Sequence, residues 1–338
     1  MYLAAMPNLL TENPERGGGV ALDDVLSSLL STIRLSGSLQ FCFMPTGDWQ
    51  LDATAPKLLT LSGKKGSVIP FHILVAGECW LDMGDVQTTL AAGDITMFPF
   101  ASGHNLGVGQ GGRPLAPTRD LPPKPWRETP VLRYGDDADP TRLLCGYLHC
   151  EALNFQPFSK ALPKLIHVKT QSDGNTAWLD ATIRQIVHEV DNPRVGGVSM
   201  LPRLTEIVFI EILRHQIMTA APRAVGWLSA LADPALSRCL SMIHEDPRRE
   251  WSLEDLAEAA QMSRSAFSDR FKAVLDTSPI EYLRAWRLYL ASVALATTKQ
   301  AIGAIAYDAG YESEASFNRA FSRTFGAPPA TWRASAQS

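Results

Sequence analysis

No run of about 18 consecutive apolar residues occurs in this chain, so the sequence holds no candidate helical membrane span. A surplus of positive charge is missing too. The 338 residues carry 31 Lys and Arg against 35 Asp and Glu, a formal net charge of −4. That balance excludes a protein that grips nucleic acid mainly by bulk charge, so any DNA-binding reading must rest on motif geometry. Cysteine is scarce and odd in number: Cys42, Cys79, Cys145, Cys150 and Cys239. These do not make a disulfide framework; in a reducing compartment they act as ligands, redox groups or core residues. The opening stretch MYLAAMPNLLTENPERGGG lacks a basic start followed by a long apolar core. No secretory leader is therefore predicted, and the expected compartment is the cytoplasm.

What is present divides by hydrophobic period. Residues 1–20 read as a flexible lead, 21–168 as a strand-rich domain opened by one helix, 169–227 as a helical linker and dimerisation region, and 228–338 as an all-helical domain. In the second of these, SVIPFHILVAGECWLDM, TTLAAGDITMFPF and RLLCGYLHC are short strands between turns, the pattern of a sandwich or small barrel. Residues 109–140 read as a Gly/Pro-rich loop, too long for a simple hairpin. The helix SMLPRLTEIVFIEILRHQIMTA carries more apolar surface than one stripe needs. It packs either against a second copy of the chain or on both faces within its own domain. The stretch APRAVGW reads as a short linker.

The last domain contains an internal repeat. Phe267, Phe271, Leu275, Pro279 and Tyr282 recur 50 residues later as Phe317, Phe321, Phe325, Pro329 and Trp332. Upstream, Ala257, Ala260 and Met262 recur 49 residues later as Ala306, Ala309 and Tyr311. Each copy has small Ala residues on a short helix, a turn at Gln261 or Gly310, a serine in N-cap position (Ser263 or Ser313), and aromatics at i and i+4 for a buried stripe. This is helix, turn, helix, in which the second helix enters the major groove. With the aromatics inward, Arg264, Ser265, Ser268 and Asp269 lie on the opposite side of the first recognition helix, and Glu314, Ala315, Asn318 and Arg319 on that of the second. Arg suits guanine, Asn suits adenine, and a carboxylate accepts from cytosine. Arg270, Lys272, Arg323 and Arg333 are candidates for phosphate contacts, which position without specifying. The apolar helix EYLRAWRLYLASVALATTK between the repeats would hold the two recognition helices about 34 Å, one DNA turn, apart.

From about Leu231 to Arg333 the chain resembles the AraC/XylS family DNA-binding domain. The residues that carry the likeness are Ala309-Gly310-Tyr311, Ser313, Ser316-Phe317, Arg319-Ala320-Phe321, Phe325-Gly326 and Pro328, and the first repeat is the looser match. The resemblance implies seven helices, promoter DNA and RNA polymerase as partners, and base readers at Ser265, Ser268, Asp269, Glu314, Ala315, Asn318 and Arg319. The strand-rich half resembles a degenerate cupin. Gly93-Asp94, Pro99 and His104 follow the second cupin motif, with Ala101 where Gly is usual. Phe71-His72, Gly77 and Gly84 follow the first, but its His-x-His is missing and Glu78 is out of register.

The expected architecture is therefore α+β in two domains: a cupin-like β-barrel, a helical linker, and an all-α domain with two helix-turn-helix units. Cys42 and Cys145 also match regulators of this type that sense reactive chlorine. If Cys42, His72, His104 and Cys145 converge, two imidazoles and two thiolates suit tetrahedral zinc. Alternatively, Cys42 and Cys145 form an oxidisable pair. The function expected is a homodimeric transcription regulator whose sensor takes a small effector, a metal or an oxidant. The alternative is a cupin metalloenzyme of dioxygenase type fused to a DNA-binding domain, which would need a well-placed carboxylate that the motifs do not supply.

Overall fold

The structure is a computed structural model, and it describes residues 25–32, 35–53, 68–136, 139–170, 176–219 and 225–336. The predicted N-terminal lead lies outside them. The sensor half begins with helix α1 (Val25–Thr32), followed by β1 (Leu35–Pro45), β2 (Trp49–Ala53), β3 (Val68–Ala76), β4 (Glu78–Asp82), β5 (Gln87–Ala91), β6 (Asp94–Met97) and β7 (His104–Val108). The stretch read as a loop instead folds into β8 (Arg113–Leu115), α2 (Pro117–Asp120) and β9 (Val131–Tyr134). Both short strands add to sheet edges in parallel, β8 on β2 and β9 on β1, a pairing that leaves no hairpin signal in the sequence. Then come β10 (Arg142–Cys150), α3 (Gln156–Lys160) and β11 (Ile166–Lys169).

Two sheets result, ordered β11-β6-β3-β10-β1-β9 and β5-β4-β7-β2-β8. They enclose an apolar lumen of Phe41, Phe43, Trp49, Leu51, Leu74, Leu106 and Leu143. Among the described residues they are two ladders, not one closed barrel ladder. The six-stranded sheet is buried on both faces, which is why VIPFHILVA reads as a nearly unbroken apolar run. Its strands alternate. Leu74 faces the lumen, while Ile69, Phe71 and Ile73 join a second core outside.

That outer core is roofed by α4 (Ala177–Asp191) and α5 (Gly197–Met218). Helix α5 lies directly on β1 at Gly37, where a Cβ would fall 1.8 Å from Thr205 Oγ1 and 2.6 Å from the Pro202 carbonyl. Only a residue without a side chain admits that approach. Of the two options for α5, burial inside its own domain accounts for Leu201, Val208, Phe209, Ile212 and Leu213, whereas Met200 and Ile207 remain exposed.

The C-terminal half is helical: α6 (Trp227–Ala232), α7 (Pro234–Glu245), α8 (Leu253–Ala259), α9 (Arg264–Leu275), α10 (Pro279–Thr297), α11 (Ile302–Asp308), α12 (Glu314–Phe325) and α13 (Pro329–Ala336). Trp227, the last residue of the predicted linker, is fully buried and opens α6. The outer core of the sensor continues without a break through Phe155, Phe158 and Trp227 into Phe267, Phe271, Tyr282 and Trp286 of the first helix-turn-helix unit. The second unit has a core of its own, built on Leu288, Leu295, Ile305, Phe317 and Phe321.

Candidate functional site

The two helix-turn-helix units are built by the same local bonds. In the first turn, Gln261 N–H donates to Glu258 O and Met262 N–H to Ala257 O, at 2.9 and 3.0 Å. In the second, Gly310 N–H donates to Tyr307 O and Tyr311 N–H to Ala306 O, at the same 2.9 and 3.0 Å. Gln261 and Gly310 both take the left-handed conformation, with φ of 56° and 78°. Ser263 Oγ then accepts from Ala266 N–H and Ser313 Oγ from Ser316 N–H, capping the two recognition helices. Phe267 and Phe271, and again Phe317 and Phe321, are wholly buried.

The predicted readers sit around that frame unequally. Ser265 and Asp269 on α9, and Glu314, Ala315 and Arg319 on α12, are exposed, and Ser268 is half-buried. Arg264 is exposed but ion-paired with Glu254 of α8. Arg270 is exposed and grips the Asp233 carboxylate through Nε and Nη2, at 2.8 and 2.5 Å. Asp233 is itself the N-cap of α7, accepting from Ala235 and Leu236 N–H, so Arg270 is held by a helix start that the Asp-Pro pair signals in sequence. Asn318 is only half-exposed, and its Oδ1 is buried without a partner. Lys272 and Arg323 are exposed; Arg333 donates to the Gln300 carbonyl at 2.6 Å.

In the sensor half, three of the four residues proposed as metal ligands meet. His72 Nδ1 lies 3.1 Å from Cys145 Sγ, because β3 and β10 pair with His72 opposite Cys145. His72 Nε2 lies 2.8 Å from His104 Nε2, and His104 Nδ1 lies 2.9 Å from the Ser102 carbonyl. The Ser102 carbonyl can only accept, which fixes every hydrogen. His104 donates through Nδ1 and accepts at Nε2, His72 donates through Nε2 and accepts at Nδ1, and the Cys145 thiol donates. The chain is neutral throughout. Burial, reinforced by the neighbouring His104, holds His72 well below the usual imidazole range, and burial lowers His104 to about 4. Burial pushes the Cys145 thiol well above its ordinary range. Phe98 stacks flat on His104, centroids 3.6 Å apart, and fixes its ring.

Cys42 does not belong to this cluster. It belongs to the outer core, whereas its strand neighbours Phe41 and Phe43 line the lumen with Cys145. Arg142 Nε donates to its Sγ at 3.4 Å, and the same guanidinium forks onto Asp191 at the end of α4. Two corrections follow. Cys42 and Cys145 project from opposite faces of one sheet, so the expected oxidisable pair does not face across the lumen. The zinc set of Cys42, His72, His104 and Cys145 does not assemble either. Both nitrogens of His72 are engaged, on opposite edges of its ring, and among the described residues no group of three or more His, Cys, Asp or Glu side chains is placed to hold a metal ion. Cys79, Cys150 and Cys239 are buried thiols pushed up to about 12 by burial, as core residues are.

His72 and Cys145 line a cavity of about 440 Å³. Its other walls include Phe41, Leu51, Val68 and Pro70, and its polar groups include Gln40 and Arg119. The sequence motifs picked out His72, His104 and Cys145 but missed Ser102, which orients them, and Arg119, whose position follows from α2.

A two-sheet β domain joined to paired helix-turn-helix units defines the class, and comparison with known proteins agrees. Residues 24–218 match the cupin family and residues 256–335 match a helix-turn-helix domain family. The chain belongs to the cupin family over its sensor half and is an AraC-type DNA-binding transcription regulator. A putative AraC-like transcription regulator of Streptomyces lividans is 28% identical over 320 residues, 92% of this chain and 97% of the relative. The HTH-type transcriptional regulator AlkR of Acinetobacter baylyi is 28% identical over 314 residues, 92% of this chain and 99% of that one. The RCS-specific HTH-type transcriptional activator RclR of Escherichia coli is 26% identical over 313 residues, 92% and 97% of the two chains. No helix among the described residues is long and apolar enough to cross a membrane.

Proposed function

We propose that this regulator works in the cytoplasm as a homodimer that contacts RNA polymerase at its promoters, and that its signal is a small, mostly apolar organic effector bound in the 440 Å³ cavity. Such a molecule would meet apolar walls and polar groups at Gln40 and Arg119. The observation that carries this reading is the shared sheet. The strands that line the cavity on one face carry, on the other, the core they share with the first helix-turn-helix unit. An effector that fits one arrangement of the sheet better than another shifts the population of DNA-binding arrangements by that difference in affinity. The thiols are buried and held protonated, which favours this signal over an oxidant.

The test is DNA binding by the full chain, on a site selected from a random library, against a panel of small apolar ligands. Ala53→Phe, which fills the cavity, should abolish the ligand response and leave ligand-free DNA binding unchanged. A full response in Ala53→Phe would remove the cavity from the mechanism. In parallel, metal content and thiol titration before and after mild hypochlorite test the other signals. Stoichiometric zinc, or prompt loss of two thiols, would replace the organic effector with a metal or an oxidant.

A further inference from the structure

A cleft of about 300 Å³ lies between the two helix-turn-helix units, lined by Arg284 and Arg287 of α10, Gly310 and Tyr311 of the second turn, and Arg323 of α12. Three guanidiniums around one small opening are costly unless an anion completes them, since like charges repel. Arg287 is fixed. It donates from Nε to the Pro247 carbonyl at 2.5 Å and from Nη2 to the Arg249 carbonyl at 2.9 Å. It also lies over Gly310, where a Cβ would come within 2.6 Å of Nη1. Arg284 and Arg323 are exposed and take part in no ion pair among the described residues.

The cleft also contains a hydroxyl without a partner. The Tyr311 Oη is buried and unbonded, and Arg284, Arg323 and Arg287 all act on it electrostatically. The acids nearby are few. Glu250 and Asp246 act on Arg287 from the α7–α8 connection. Glu281 acts with Arg284 but is bound by Ser278 in the cap of α10. A tetrahedral oxyanion matches this set, because planar guanidinium forks bind phosphate oxygens in pairs and a phenol donates one further bond.

We propose that this cleft binds a phosphate group, clamped by Arg284 and Arg323, with Arg287 as fixed charge and Tyr311 as hydroxyl donor. The cleft is larger than a bare phosphate and open between the two recognition units. The phosphate it suits is one carried on a larger molecule: a backbone phosphate of the DNA between the two recognition helices. This rests on the DNA-binding reading. The same chemistry would take a free phosphate compound, and the experiment separates the two.

Full-length protein is titrated with a selected site and with random DNA across a salt series. Arg284→Ala and Arg323→Ala should each weaken binding to both DNAs by the same factor and reduce the slope of log K against log salt by about 0.9. Tyr311→Phe should weaken both DNAs equally while leaving thermal stability intact, since its ring packs on Phe317 unchanged. Ethylation of one phosphate between the recognition helices should block the wild type and not Arg284→Ala. If slopes and ethylation patterns do not change, DNA is not the occupant. Inorganic phosphate or pyrophosphate should then raise the melting temperature of the wild type but not of Arg284→Ala. Failure of that arm too overturns the phosphate site. If the wild type binds no DNA at all, the DNA-binding reading fails instead, and the phosphate-induced melting shift still decides the cleft.

Discussion

Phe155 is the residue to remove to ask whether sensor and DNA-binding domain fold as one body. It sits just before α3 in the sensor half, 1% exposed, with its ring against His244, Tyr282, Trp286 and Tyr289 at 5.2 to 6.4 Å. All four partners belong to α7 and α10. A Phe→Ala truncation in a site this closed costs about 3–5 kcal/mol, transfer and cavity terms together. The cost should not spread evenly. Phe155 lies in the core that joins the sensor to the first unit, and the second unit has a separate core. Hydrogen exchange on the full chain reads this directly, because amides report the opening free energy of their own cooperative unit. In Phe155→Ala, amides of the six-stranded sheet and of α9 should lose protection together, while those of α11 and α12 keep theirs. Equal loss in α12, or undiminished protection in α9, would refute a core shared by sensor and first unit only.

Arg319→Ala should weaken binding to a selected site more than to random DNA, by about 1–3 kcal/mol; equal loss on both would assign Arg319 to the backbone. Asp233→Ala removes the cap of α7, at about 1 kcal/mol, and releases Arg270. Non-specific affinity should then rise at low salt, and an unchanged salt slope would show that Arg270 never reaches a phosphate. Acid should destabilise the fold through its buried imidazoles. Burial lowers His104 to about 4 and His244 to about 3, against about 6.5 in the unfolded chain. The unfolded chain therefore binds protons that the folded one refuses. Their contribution is whole above pH 6.5 and is lost as the pH falls towards 4 and 3, on the order of 3 kcal/mol for His104 alone. Urea midpoints at pH 8, 6 and 5 should fall in that order, and less steeply in His104→Gln.

The DNA-binding half was legible because its information is local. Ser263, Ser313, the paired aromatics and the 49- and 50-residue offsets lie within single turns of chain, and the structure repeats them bond for bond. What escaped was tertiary. Nothing around Arg264 or Arg270 announces Glu254 or Asp233 as partners, and a face count put Asn318 among the readers although its Oδ1 is buried. In the sensor, the cupin motifs pointed to His72 and His104 and the family resemblance to Cys145, and the structure brings the three together. The resemblance also named Cys42, which falls on the other face because of the irregularity in β1, where the register slips between Leu39 and Phe41. One extra residue there exchanges the faces of the strand, and no composition rule reports it.

A sheet whose alternate positions answer to different cores has a consequence for how such regulators diversify. Positions facing the lumen, such as Phe41 and Cys145, can vary with the ligand while the strands stay in register. Positions facing out, such as Ile69, Phe71 and Leu144, are matched to α5 and, through Phe155 and Trp227, to one particular helix-turn-helix unit. Retuning this sensor is thus a matter of interior substitutions, but transplanting it is not. A chimera spliced ahead of Trp227 would inherit an exterior cut for Tyr282 and Trp286, and the recipient domain would have to supply those rings or be rebuilt around Phe155.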